Sequence, residues 1–230
     1  MAEILAIVAT VAVFAAASRV YRRWRRPFLN PVLVSVVVLI AALRGLGIEY
    51  AAYDRGGRVL AFFLGPAVVA LGVPLYLQGA EIARRGRAIL ASILAGSVVG
   101  IVSGTCVAAL LGASPEVVRS MAARSVTTPI AIGIAGRIGG IPSLTAALVI
   151  GTGVLGAALG PAVLRAAGVR SPTAFGLAMG AAAHGIGTAR AAEEGTAEAA
   201  SSGLAIGLMG VATAILAPLL MAVLAWAGVG

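Results

Sequence analysis

The sequence predicts an all-α integral membrane protein of about eight hydrophobic segments, some of them re-entrant or broken helices. Three observations predict it. Sixty per cent of the 230 residues are apolar and only 11% are charged, against roughly 25% charged residues in a soluble domain. The apolar residues gather into long runs separated by arginine clusters. Two of the runs are interrupted by proline, glycine and polar side chains, the pattern of a helix that stops within the membrane.

In order, the runs are Ile4–Ser18, Phe28–Leu43, Val59–Gly79, Ala88–Gly112, Ser125–Ile138, Ile141–Leu164, Ser171–Ala189 and Gly203–Gly228. Roughly 20 residues are needed to cross the hydrocarbon as a helix, and most runs meet or approach that length. The first follows Glu3 without a basic segment before it, which predicts a membrane span and not a cleaved signal. Ser125–Ile138 is too short to cross and predicts a re-entrant or broken helix. The whole chain, 1–230, reads as one membrane domain.

All 17 basic residues are arginine, and they cluster between the runs. The net charge of +9 is therefore assigned to span ends and headgroup lipid, not to nucleic acid. Arg19, Arg22, Arg23, Arg25 and Arg26 fall on the same side as Arg84, Arg85 and Arg87 if two helices separate them. That side is expected to be cytoplasmic, with Arg119, Arg124, Arg165 and Arg170 opposite. Cys106 is the one cysteine and His184 the one histidine, too few for a disulfide or a zinc site. No cofactor is expected.

Glycines recur every four residues at Gly96, Gly100 and Gly104, at Gly156 and Gly160, and at Gly176 and Gly180. Small residues at that spacing let helix backbones approach closely in lipid. LGPAV occurs at Leu64–Val68 and again at Leu159–Val163; three segments between the copies would orient them oppositely, so inverted repeats are possible.

Chemistry is expected where the apolar pattern breaks. Ser125, Thr127, Thr128 and Pro129 make a helix start, whose free N–H groups and positive dipole end attract an anion within a membrane. In Ala183–Ala191, His184 precedes Gly185 and Gly187, two glycines that weaken the helix, and Thr188 and Arg190 follow. Arg190 suits a bidentate carboxylate, and His184 can exchange a proton near neutral pH. Gly139-Gly140-Ile141-Pro142 predicts a tight turn that restarts a helix, with the Ser143 and Thr145 hydroxyls beyond it as candidate substrate contacts. Gly151–Gly156 fits GxGxxG in letters only, since no strand precedes it. No nucleophile–base pair or metal set suggests an enzyme.

These motifs together resemble the LrgB/CidB family of bacterial membrane proteins. The resemblance rests on Asn30-Pro31, Gly56-Gly57, FLGPAVVALGVPLY at Phe63–Tyr76, SVTTPIA at Ser125–Ala131, GGIPSLTA at Gly139–Ala146, Thr152-Gly153, Gly160-Pro161 and AHGIGTARA at Ala183–Ala191. It implies a multi-pass protein of the cell's inner (plasma) membrane that works with a smaller LrgA/CidA-like membrane partner. It carries two functional descriptions. One is a holin/antiholin-like modulator of murein hydrolase export and autolysis. The other is a carrier of small monocarboxylates of the glycolate, glycerate and pyruvate class, as in the LrgB-like part of the plastidic glycolate/glycerate translocator. The interrupted segments favour the carrier, with Thr127, Thr128, His184, Gly185, Gly187, Thr188 and Arg190 converging on a small carboxylate. A rocking or elevator-like movement would expose that site alternately, and a homo-oligomer, a dimer, is expected.

Overall fold

The computed structural model describes residues 2–24, 29–63, 66, 69, 76 and 79–229. Its described secondary structure is entirely helical, as the composition predicts, and the chain divides into two compact units, 1–69 and 70–230.

In the first unit, α1 (Ala2–Trp24), α2 (Pro31–Gly45) and α3 (Tyr50–Phe62) pack together, α1 against each of the others. Asn30 caps α2 through its side chain, which accepts from the backbone N–H of Val32 and Leu33; Pro31 follows at the first turn, where its missing N–H costs nothing. α3 begins between two of the predicted apolar runs and its last turn enters the second, Val59–Gly79. Asp54, Arg55 and Arg58 make it too polar to register as one, with Arg58 and Asp54 paired across a turn at 2.9 Å. Its other face meets α1. Tyr53 and Thr10 share a hydrogen bond of 2.8 Å, and a Cβ on Gly56 would collide with the backbone of Glu3 and with Ala6.

The second unit holds α4 (Gly79–Leu110), α5 (Pro115–Met121), α6 (Thr128–Ile138), α7 (Pro142–Ala166), α8 (Pro172–Ala191) and α9 (Thr196–Trp226). α8 and α9 make the most extensive contact, followed by α8 with α7. The core gathers Ile93 and Ile101 of α4, Val118 of α5, Ile134 of α6, Val149 of α7, and Leu204 and Met209 of α9.

The all-helical membrane class agrees with expectation, while about eight hydrophobic segments, some of them re-entrant, are not confirmed. Among the described residues, four helices are long and apolar enough to cross a membrane: Glu3–Trp24, Gly86–Leu110, Pro142–Ala166 and Thr196–Trp226. α2 and α6 are apolar but short, and much of the predicted run Val59–Gly79 lies outside the described residues. The same holds for Leu64–Val68 apart from Pro66, so the first copy of the LGPAV echo does too; the second forms the later turns of α7.

Two predicted interruptions are present. α6 ends on Gly139, whose φ of 76° is the left-handed C-terminal cap that glycine adopts without penalty, and α7 restarts at Pro142. α8 is broken at Ala183 (φ −129°, ψ 15°) and His184 (φ 41°, ψ −132°), leaving two half-helices.

Candidate functional site

The break in α8 is held from three sides. His184 is buried, and its Nε2 shares a 3.0 Å hydrogen bond with the Val149 carbonyl of α7. Its ring fills the space where a Cβ on Gly153 would stand, while Gly156 gives the same room to Ala183. The carbonyl of His184 accepts from Thr188 Oγ1 at 2.9 Å, and that hydroxyl meets Ser202 Oγ of α9 at 2.7 Å. His184 is the one described non-glycine residue with a positive φ. Such backbone costs about 1–3 kcal/mol and persists only where its surroundings hold it.

Gly187 is buried against Met179 and Ala183 of the preceding half-helix, so the second glycine of the motif lets the chain fold back past the break. Gly185 faces open space.

Arg190 lies at the far end of the second half-helix. Its Nη1 meets Glu193 at 3.2 Å and its Nη2 meets Glu194 at 2.7 Å. Glu194 also accepts from Arg165 at the end of α7, at 2.7 and 2.8 Å. The carboxyl of Glu194 is pulled up by partial burial, but the Arg165 hydrogen bonds and the nearby Arg190 charge outweigh this and leave it below its ordinary range. These four residues tie the ends of α7 and α8 together.

The helix start at α6 is capped by Thr127, whose backbone is extended and whose side chain makes no capping hydrogen bond. Its Oγ1 is buried with no hydrogen-bond partner among the described residues. Thr128 and Pro129 begin the helix, half-buried, and Ile130 packs into the gap left by Gly210 of α9. Ile130, next after Thr127–Pro129, and Thr188 of the broken segment thus both meet α9, at Gly210 and Ser202, positions roughly 12 Å apart along that helix at 1.5 Å per residue. No hydrogen bond joins the two groups among the described residues.

Thr145 does structural work. Its buried hydroxyl donates to the Ile141 carbonyl of its own helix at 3.1 Å and to the Ser120 carbonyl of α5 at 3.2 Å. Ser120 in turn accepts from the Ile141 N–H at 2.8 Å, clipping the Gly139–Pro142 turn to α5. Ser143 is exposed.

A cavity of about 990 Å³ opens between α4, α7 and the first half of α8. Its wall is mostly Ala, Gly, Leu, Ile and Val, with the hydroxyls of Ser92, Ser125, Thr152, Ser171 and Thr173. Of the predicted site residues, Ser125 lines it. The single ionisable side chain on the wall is its neighbour Arg124. Arg124 was expected only as a loop arginine, and its importance was hidden because it reads as one more flanking charge. The signal that marks it is Gly104: a Cβ there would overlap the Arg124 guanidinium, so the third glycine of the four-residue stripe admits a cation and not a helix.

Arg124 is half-buried. Its Nη1 donates to the Gly100 carbonyl at 2.7 Å and to the Met121 carbonyl at 3.3 Å, and its Nη2 makes a long contact of 3.4 Å to Ser103 Oγ. No carboxylate pairs with it among the described residues. Gly100 lies close to the midpoint of the Gly86–Leu110 span, where an arginine costs roughly 2.5–3.5 kcal/mol and normally faces a cavity or a partner.

The LrgB-like family model matches residues 10–223. The chain is 37% identical to the uncharacterised protein YxaC of Bacillus subtilis over 95% of both chains. It is 35% identical to the antiholin-like protein LrgB of the same organism, again over 95% of each, and 36% identical to the antiholin-like protein LrgB of Bacillus mycoides over 84% of each. No solved structure matches it. With an all-helical membrane fold whose interruptions fall in the SVTTPIA, GGIPSLTA and AHGIGTARA motifs, and a family match from end to end, the chain belongs to the LrgB-like family of membrane proteins.

Proposed function

We propose that this chain acts as an antiholin-like protein of the plasma membrane, modulating murein hydrolase export and autolysis together with an LrgA/CidA-like membrane partner. The observation that carries this reading is the similarity, at 35–36% identity over most of both chains, to Bacillus proteins named antiholin-like protein LrgB. Deleting the gene should change the rate of detergent-induced autolysis, and re-expression should restore it. An unaltered lysis rate in the deletion strain overturns the reading.

A second reading is favoured by the geometry: a carrier of small monocarboxylates such as glycolate, glycerate or pyruvate. Its support is the cavity beside α4, apolar over most of its wall and bearing one guanidinium without a carboxylate partner among the described residues. A selective site for a small organic anion needs an apolar enclosure with a few placed polar groups, and a broken helix beside it gives the wall a place to bend. Thr127, Thr128, His184, Gly185, Gly187, Thr188 and Arg190 then serve as the support and hinge of that wall more than as its lining, and a homodimer is the natural assembly.

Reconstitution separates the two. Saturable uptake of labelled glycolate into proteoliposomes, competed by pyruvate and without dye leakage, is the result expected of a carrier. Leakage of glycolate and dye together marks a pore, and the absence of flux with an altered autolysis rate in cells leaves the antiholin-like reading alone.

A further inference from the structure

We infer that Arg124 is the anion anchor of the α4–α7–α8 cavity, receiving a carboxylate on the Nε–Nη2 edge of its guanidinium. The inference rests on the carrier reading only in that an organic anion enters the cavity. A guanidinium has five N–H donors in a fixed planar fork. Here both Nη1 hydrogens go to backbone carbonyls, those of Gly100 and Met121. These bonds fix the plane of the group without neutralising it, because a carbonyl carries no net charge. What remains is the opposite edge, which among the described residues meets only Ser103, in a long contact of 3.4 Å. That edge has the spacing of a carboxylate, which it binds with two parallel hydrogen bonds.

The surroundings make the group a binder and not merely a tie. Arg58, Arg165 and Arg190 each have a carboxylate within 3.2 Å. Arg124 has none among the described residues, and what sets it apart from an ordinary surface arginine is that it lines a cavity roomy enough for an organic acid. Gly104 keeps the guanidinium against α4 by presenting no Cβ, and Ser125, next in the chain and on the same wall, offers a hydroxyl to the same ligand. One positive charge on an otherwise neutral, largely apolar wall also sets the valence. A monocarboxylate is balanced there, whereas the second charge of a dicarboxylate would enter a low-dielectric space unpaired. Arg124 therefore discriminates by charge as well as by shape.

The test uses the purified full chain, in detergent and in proteoliposomes, with glycolate as the monoanion and malonate as the dianion. Phenylglyoxal modifies accessible arginines, and mass spectrometry reports each site separately. Glycolate should slow modification of Arg124 while leaving the exposed Arg137 unaffected, and malonate should protect far less. In uptake, Arg124→Lys keeps the charge but loses the fork, and should raise KM for glycolate by about tenfold with a smaller change in the maximal rate, the range of a lost charge-assisted hydrogen bond. Arg124→Gln should abolish saturation. Gly104→Ala, which displaces the guanidinium and leaves the charge in place, should reproduce the loss; it guards against an Arg124 variant that fails to fold. Protection without flux upholds the anchor and sinks the carrier reading. Flux by the wild type with Arg124 unprotected, or with Arg124→Gln at the wild-type KM, overturns the anchor while the carrier reading stands. Neither flux nor protection in the wild type overturns both.

Discussion

At the scale of single residues, side chains of one type take opposite parts. Arg190 and Arg124 are both cations near apolar helices, yet one is spent on Glu193 and Glu194 and the other stands on a cavity wall with no carboxylate partner among the described residues. The carboxylates three and four residues beyond Arg190 are legible in the sequence as its partners, whereas the glycine 20 positions before Arg124 is not legible as its seat. Glu194 gives a pH prediction. Its folded carboxyl is depressed, so the stability it lends is fully present above its ordinary value of 4.5 and is lost as the pH falls through the lowered one. The thermal midpoint of solubilised protein should therefore fall more steeply with acidification in the wild type than in Glu194→Gln; parallel curves would remove Glu194 from the account. His184 gives another. His184→Gly accepts the positive φ without strain but forfeits the ring that fills the space beside Gly153 and bonds Val149. His184→Ala loses the ring and keeps the strain. Thermal unfolding should rank wild type, then Gly, then Ala, with Ala lower than Gly by about 1 kcal/mol, the cost of Cβ in this backbone region.

At the scale of elements, the sequence was most legible where backbone chemistry dictates structure. Asn30-Pro31 starts α2, Gly139 ends α6 and Pro142 begins α7, each for a reason local to a few residues. The glycine pairs were legible as packing, and the contacts bear this out. A Cβ on Gly176 would strike the backbone of Glu198, one on Gly180 that of Ser202, and one on Gly160 the sulfur of Met179. The stripe on α4 behaves otherwise: Gly96 meets nothing, Gly100 touches Ser125, and Gly104 yields to Arg124. Its spacing is identical, so only the partner reveals the role. The amphipathic α3 escaped because Asp54, Arg55 and Arg58 interrupt its apolar residues and its buried side is short. Gly180→Val forces a branched side chain into the α9 backbone and should destabilise by at least 1–3 kcal/mol, roughly the cost of overpacking, seen as a lower melting temperature in detergent. Gly96→Val, in open space on the cavity wall, should leave stability nearly unchanged. A large loss there would show that α4 has a neighbour at Gly96.

At the scale of the molecule, the membrane class was legible from composition, while the number of crossing helices was not. Hydropathy records how apolar a stretch is, and a short buried helix such as α6 is as apolar as one that crosses. The large side chains left exposed on α1, α4 and α9, among them Val8, Leu94 and Leu219, form faces that water would not tolerate and that acyl chains cover. The protein should stay with the membrane pellet through an alkaline carbonate wash and leave it only with detergent. Release by carbonate would contradict an integral placement.

The seam between α8 and α9 has a mechanical corollary. With Gly176 and Gly180 set against main-chain atoms of the neighbour, the first half of α8 has no side-chain cushion on which to slide along that partner. It is bolted to it, and the only soft joint in the rod is the pair of residues at 183 and 184. Any change in the width of the adjoining chamber must therefore swing about that joint or carry the bolted pair as one body. Spin labels on either side of the joint, at Ala178 and Ala189, would read the first as a change of separation on ligand addition and the second as a constant distance.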